Sequence, residues 1–553
     1  MKRHEIVGPR SERGVALVTA VLFVLLAALV AGTFLATTTR EQSVSSSVHV
    51  AKASLYSADA GVRTAQQMLA NLGQAKMESL ATLRVANGNV GPVIPAPNSV
   101  FPTGSMSISS SSDPKFTAST SIAWADSDLT DTAQVFNYRY RITSTGQFGA
   151  RGVRAVETTG LLRLSAGRGT FADYLMFTDI HTTSSGTGVW FNSSTRMNGR
   201  VHTNGIFRFA LQPQFTDLVS SVNAQAWYNN NGSAISLAAN SNGSVDVPQF
   251  GGGFQRGAGT IALPTTSFLQ QNATLGQATP SSSTGPTNAQ LNMAFSGSTS
   301  GSSPADGIYP VTNGTSALVG GIYIKGNVNS MRMSVNGGGH QVYTIVQGST
   351  TKTITINRAG PSTTIVTNSG TPVVYTGVPS GSIFCSGSIS DFGGPDRADV
   401  DDPPIAGLAD NNQTTITAAG DIVIQSDVLA SDYDDGNSVL GIYSNGGNVR
   451  IGSSAPPNLH IDAFLMATGS NGQVTVDNYS SRSPSGDLIL RGGMVSKYYG
   501  GFGTSNQSTG VRLSGYGRLF SYDRRGITPP FYPQTPAFNA DVPSAQMLAW
   551  KEL

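Results

Sequence analysis

Hydrophobic and polar positions follow three successive patterns along the chain. From Val15 to Ala36 almost every position is apolar, interrupted only by Thr19, Gly32 and Thr33, and no charge falls between Arg13 and Arg40. At about 1.5 Å per helical residue this run spans about 33 Å, enough to cross a bilayer core of about 30 Å. A second pattern follows. Val44, Val48, Ala51, Leu55, Ala58, Val62, Ala65 and Leu69 recur at alternating spacings of 4 and 3, which predicts an apolar seam along one helix face. The third pattern begins after the Gly91–Pro97 segment, whose three prolines break the helix. Phe136–Ile142 and Val153–Thr159 alternate as strands. Short apolar segments bounded by Gly, Asn or Asp then recur, among them 321–328, 351–356, 420–424, 440–443, 459–465 and 486–493.

These patterns predict a mainly β protein with a long N-terminal α-helix. Five parts are expected: a leader over 1–14, a membrane-crossing helix over 15–37, a stalk helix and linker over 38–90, a β region over 91–169 that packs on the helix, and a β-rich exterior domain over 170–553. The Gly-Asp/Asn turns between short strands suit stacked rungs around a narrow core, so an irregular β-helix is the first expectation for the exterior domain. A β-sandwich also yields many short strands and is the alternative. Residues 212–306, rich in Ser, Thr, Asn, Gln and Gly, are expected to hold a low-complexity, solvated insertion.

Composition narrows the setting. Only 12% of the 553 residues are charged and 64 are glycine, which fits a turn-rich extracytoplasmic protein. The formal net charge is +2, so no basic field points to nucleic acid. Cys385 is the single cysteine, which excludes an intrachain disulfide and a thiolate zinc site. Lys2, Arg3, Arg10 and Arg13 precede the apolar run and would hold the amino terminus in the cytoplasm.

The order of basic leader, Gly14 and apolar run distinguishes three kinds of amino-terminal segment. A secretory signal ends in a cleavage site after a shorter apolar stretch. A plain anchor needs no cleavage site. The segment Ser11-Glu12-Arg13-Gly14-Val15-Ala16-Leu17-Val18, with Leu55-Tyr56-Ser57-Ala58-Asp59-Ala60-Gly61-Val62-Arg63 further on, resembles the amino-terminal region of PilX-like minor pilins. The resemblance implies processing by a prepilin peptidase between Gly14 and Val15, with Arg13, Gly14 and Val15 forming the processing site. It also implies insertion in a bacterial inner membrane and packing of the helix seam against other pilin-like subunits. Major pilins carry Glu at the fifth position after the cut; here Thr19 stands there. In this the chain resembles PilX-type minor pilins and the K-type pseudopilin of type II secretion, so a minor, priming or tip component is expected rather than a repeating fibre subunit.

Phe171–Phe177, the segment Gly199-Arg200-Val201-His202-Thr203-Asn204-Gly205, and Tyr522–Arg525 with Pro529–Pro533 and Trp550 resemble an extracellular domain family of unknown activity. No Walker A loop, HExxH or GxSxG motif occurs, the six histidines have no ligand spacing, and no cofactor is expected. The Asp396–Asp402 and Asp432–Asn437 stretches are oxygen-rich turns that calcium could use, though they lack EF-hand spacing. His202 is expected to be a polar turn residue rather than a base. The chain is therefore expected to be a structural protein of a type IV pilus or related fibre. Its alternatives are an anchored adhesin for a surface or glycan ligand, and a β-helix carbohydrate-active enzyme.

Overall fold

A computed structural model describes residues 12–86, 101, 105–129, 133–150, 152–278, 280–434, 436–506, 511–540 and 544–553. The chain is mainly β with a long N-terminal helix and divides into two compact units. One comprises the residues up to Arg168 together with Ala537–Leu553; the other is Gly169–Pro536. The second unit thus lies, in sequence, between the two segments of the first.

The first unit is built on one α-helix, Glu12–Ala86, which runs without a break through Gly32 and continues past the expected end of the seam. An antiparallel sheet holds its second half. The strands Met106–Ser109, Lys115–Leu129, Ala133–Phe148 and Gly152–Thr170 form a meander, and Ser544–Glu552 adds to the far side of Gly152–Thr170. Period-2 alternation sends Phe136, Tyr138, Tyr140 and Ile142 to one face, where they bury Ala58, Val62, Ala65 and Leu69 of the helix. A small residue at every other seam position lets the sheet come close. At Gly146 any side chain would collide with the backbone of Ser54 and Ala58. Each fully buried Val or Leu of this interface contributes about 1.5–3 kcal/mol.

The second unit is a parallel β-helix with three strand stacks, so the sandwich alternative falls. Its longest stack begins Ile322–Lys325, Ser382–Cys385, Gln413–Ala418, Val439–Ser444, His460–Ala467 and Asp487–Tyr499, all in parallel register. The next rung is not the next in sequence. Asp487–Tyr499 pairs with Met176–Ile180, and the stack then continues through Val201–Thr203, Val219–Ser221 and Phe254–Arg256. The first rungs of the unit thus stack on its last, and both of its ends lie in the middle of the solenoid. One inward ladder runs through nearly the whole stack: Ile322, Ile383, Ile416, Ile442, Leu465, Met494, Met176, Val201 and Val219. All nine are buried.

Residues 212–306 depart from the expected solvated insertion. Gln214–Phe215, Val219–Ser221, Gln249–Phe250 and Phe254–Arg256 are rungs of the solenoid. A rung of this width needs only one or two inward apolar residues, so Phe215, Val219, Phe250 and Phe254 suffice, and a sparse apolar pattern conceals a core. Ala226–Tyr228 pairs in parallel with Arg208–Phe209 and buries Ala226 and Tyr228 in the same core. The segment from Ile261 on, with the helices Phe268–Thr274 and Asn288–Ser296, is a strap over the outside of the longest stack. That outer surface carries an apolar row, including Tyr323, Phe384, Tyr443, Met466, Val495 and Phe177. Ile261 and Leu263 cover one end of it, and Leu291 and Ala294 the other.

Candidate assembly surface on the amino-terminal helix

The helix uses its length in two ways. Over its first part the apolar side chains meet no protein: Phe23 and Phe34 are each 72% exposed. This part has a mean hydropathy of 2.8 in its most apolar window and is long and apolar enough to cross a membrane. Its hydroxyls are satisfied within the helix, as a hydrocarbon environment requires. Thr19 Oγ1 donates to the Val15 carbonyl at 2.6 Å, Thr33 Oγ1 to Val30 at 2.8 Å, and Thr38 Oγ1 to Phe34 at 2.6 Å. Thr19 thus spends its hydroxyl proton on its own helix backbone. Arg13, Gly14 and Val15 lie in the first turns of the helix, and the residues before Glu12 fall outside the described ones.

The seam divides between the two parts. Ala58, Val62, Ala65 and Leu69 are buried on the sheet, and Leu55 packs at its margin. Val44 and Val48, at the same helical spacing, are 63% and 48% exposed, while Ala51 is half-buried. Polar ties fix the docked part: Ser57 Oγ donates to the Lys115 carbonyl at 2.6 Å and Gln66 Nε2 to Tyr140 Oη at 2.9 Å. One continuous seam thus has an occupied half and an open half.

Sequence reasoning missed the attachment of Ser544–Glu552. Glu157 receives Arg141 Nε at 2.7 Å and Lys551 Nζ at 3.0 Å, and Arg154 pairs with Glu552 at 3.2 Å. The hydrogen bonds from Lys551 and Arg141 hold the Glu157 carboxyl below its usual range. Nothing local in the sequence signals a pair whose members stand almost 400 positions apart.

The solenoid's polar residues serve its own architecture. His202 Nδ1 lies 2.9 Å from Ser220 Oγ and its Nε2 lies 3.1 Å from Asn204 Oδ1. Ser, His and Asn side by side suggest a nucleophile relay, but His202 and Ser220 are buried. Asn204 is engaged with the strap: its Nδ2 donates to the Ile261 carbonyl at 2.7 Å and its Oδ1 accepts from Ile261 N at 3.0 Å. The Gly-Arg-Val-His-Thr-Asn-Gly segment is thereby a two-bond clamp on the peptide of Ile261.

The acidic residues pair between neighbouring rungs. Arg450 bridges Asp421 and Asp477, Arg491 binds Asp462 through two bonds of 2.6 Å, and Arg397 binds Asp427 at 2.7 and 2.8 Å. Asp432 accepts from Asn411 N and Ser438 N, at 3.0 and 3.2 Å. Among the described residues no three His, Cys, Asp or Glu side chains converge on a metal position. Cys385 is buried in the core and its thiol is pushed up to about 11, chiefly by burial.

Residues 135–223 match a family described as a domain of unknown function, DUF4900. The match runs from the middle of the helix-bound sheet into the first rungs of the solenoid and includes the Asn204 clamp. No curated protein and no solved structure matches the chain.

Proposed function

We propose that this chain is a membrane-inserted structural protein of the minor pilin kind, which displays a β-helix outside the inner membrane and joins a fibre through its amino-terminal helix. The observation that carries the reading is the divided helix. Its first half is apolar and free of protein contacts, and its second half is bound to an antiparallel sheet through the same seam. The basic residues before Val15 favour a cytoplasmic amino terminus. A prepilin peptidase would cut between Gly14 and Val15. The exposed seam at Val44 and Val48 would then pack on neighbouring pilin-like helices. The Thr19 hydroxyl, spent on its own helix, leaves no acid for a neighbour's terminal amine, which favours a priming or tip position.

Intact mass and amino-terminal sequencing of the membrane-extracted protein, with and without Gly14→Ala, test this. A mature chain that starts at Val15 and disappears in the variant is the expected outcome. An unprocessed amino terminus in both would make the protein an ordinary anchored surface protein and sink the pilin-like reading.

A further inference from the structure

The second unit is inserted between two adjacent strands of the first. Gly152–Thr170 has Ala133–Phe148 on one side and Ser544–Glu552 on the other, with register Ser544↔Arg163 through Glu552↔Val156. The solenoid occupies the stretch between them. Its two ends are tied together: Phe171 N donates to the Pro533 carbonyl at 3.1 Å and Thr535 Oγ1 to the Gly169 carbonyl at 2.9 Å. Those ends lie in mid-stack, where Asp487–Tyr499 pairs with Met176–Ile180 and Gly517–Tyr522 with Arg196–Asn198. They come together where the rungs that start at Met176 close onto Asp487–Tyr499 and Gly517–Tyr522, the last rungs of the unit.

We infer that Ser544–Glu552 is a folding checkpoint: it completes the helix-bound sheet only after the solenoid has closed, so the first unit reports whether the exterior domain is folded. The physical basis is loop closure. With the solenoid unfolded, Ser544–Glu552 reaches its partner strand across about 370 disordered residues; with it folded, only the short flanks remain to be ordered, which raises the chance of meeting by roughly a hundredfold. The helix and the four-strand meander need no such help, because they come from one contiguous stretch. Until the strand arrives, the Val156–Arg163 stretch of Gly152–Thr170 is an open edge. Its Gly160 waits for the Gln546 carbonyl, which leaves no room for a side chain there, and Glu157 lacks Lys551. The inference does not depend on processing at Gly14.

Hydrogen exchange on the full chain tests it. Ile442 is fully buried in the inward ladder, and Ile442→Asp should unfold the solenoid. Exchange across 545–552 should then accelerate at least tenfold while Phe136–Ile142 keeps its protection. Retained protection of 545–552, or loss across Phe136–Ile142 as well, would overturn the inference. In the unaltered chain under a urea series, 545–552 should open together with Val439–Ser444 and before Phe136–Ile142; opening in step with Phe136–Ile142 would equally overturn it. Lys551→Ala supplies the direction: it should loosen 545–552 and leave Val439–Ser444 unchanged, and a solenoid that loosened with it would refute the order proposed.

Discussion

The two units handle apolar surface in opposite ways. The solenoid buries its inward ladder and also covers its outward row, with a strap clamped at Ile261 and ended by helices over Tyr323 and Phe384. The helix–sheet unit covers only the second half of its seam and leaves Val44, Val48 and the entire apolar run uncovered. The longest stack of the solenoid is thus covered on both faces, while the helix leaves a contiguous apolar run open. Large contiguous apolar exposure marks a surface meant for a membrane or a partner. By that criterion the exposed run of the helix is the surface a membrane could cover.

The sharpest way to break the contrast is to open the solenoid from inside. Arg397→Ala strips Asp427, whose side chain is fully buried, of its only bidentate partner among the described residues. A loss of about 3–5 kcal/mol is expected for an uncompensated buried charge, read as a shift of the solenoid's denaturant midpoint. A loss near zero would mean that Asp427 is not sealed off from water.

Next comes the docked seam. Leu69→Ala should cost the helix–sheet unit about 2–5 kcal/mol. The same type of change at the open half, Val44→Ala, should leave its stability within about 0.5 kcal/mol. Equal losses at both positions would erase the distinction between the halves.

A pH effect separates the units further. His181 is fully buried, and its pKa is pushed down to about 3 by burial, with Arg208 and Arg518 adding to the effect. The unfolded chain binds a proton there below about 6.5 and the folded one does not until about 3. Solenoid stability is therefore complete above about pH 6.5 and falls by up to about 1.4 kcal/mol per pH unit towards pH 3. His181→Gln should flatten that part of the pH profile. A solenoid whose midpoint ignores pH across this window in the unaltered chain would show that His181 is accessible.

Much of the first unit was legible in the sequence, because its signals are local. The seam positions from Val44 to Leu69 can be read from spacing, and Phe136–Ile142 from alternation; the structure docks the latter on Ala58–Leu69. The acidic stretches were visible but not their purpose: Asp462 meets Arg491 one rung further on, and spacing of that kind looks like scatter until rung length is known. Asn204 stood within a segment singled out from the sequence, yet its partner is a backbone peptide, which has no sequence signature.

The sequence by itself determined that a membrane-length helix precedes a seam and a mainly β chain of many short strands. Periods of 2 and of 3 to 4 act within a few residues and survive any arrangement of the whole. Only the tertiary structure decided which half of the seam is covered, that residues 214–256 are rungs, and that Met176 stacks on Met494. It alone returned Ser544–Glu552 to a sheet begun before residue 170. The first two rest on residues tens of positions apart and the last two on residues hundreds apart, all beyond the reach of a local period. The choice is made by which closure buries the most surface at once.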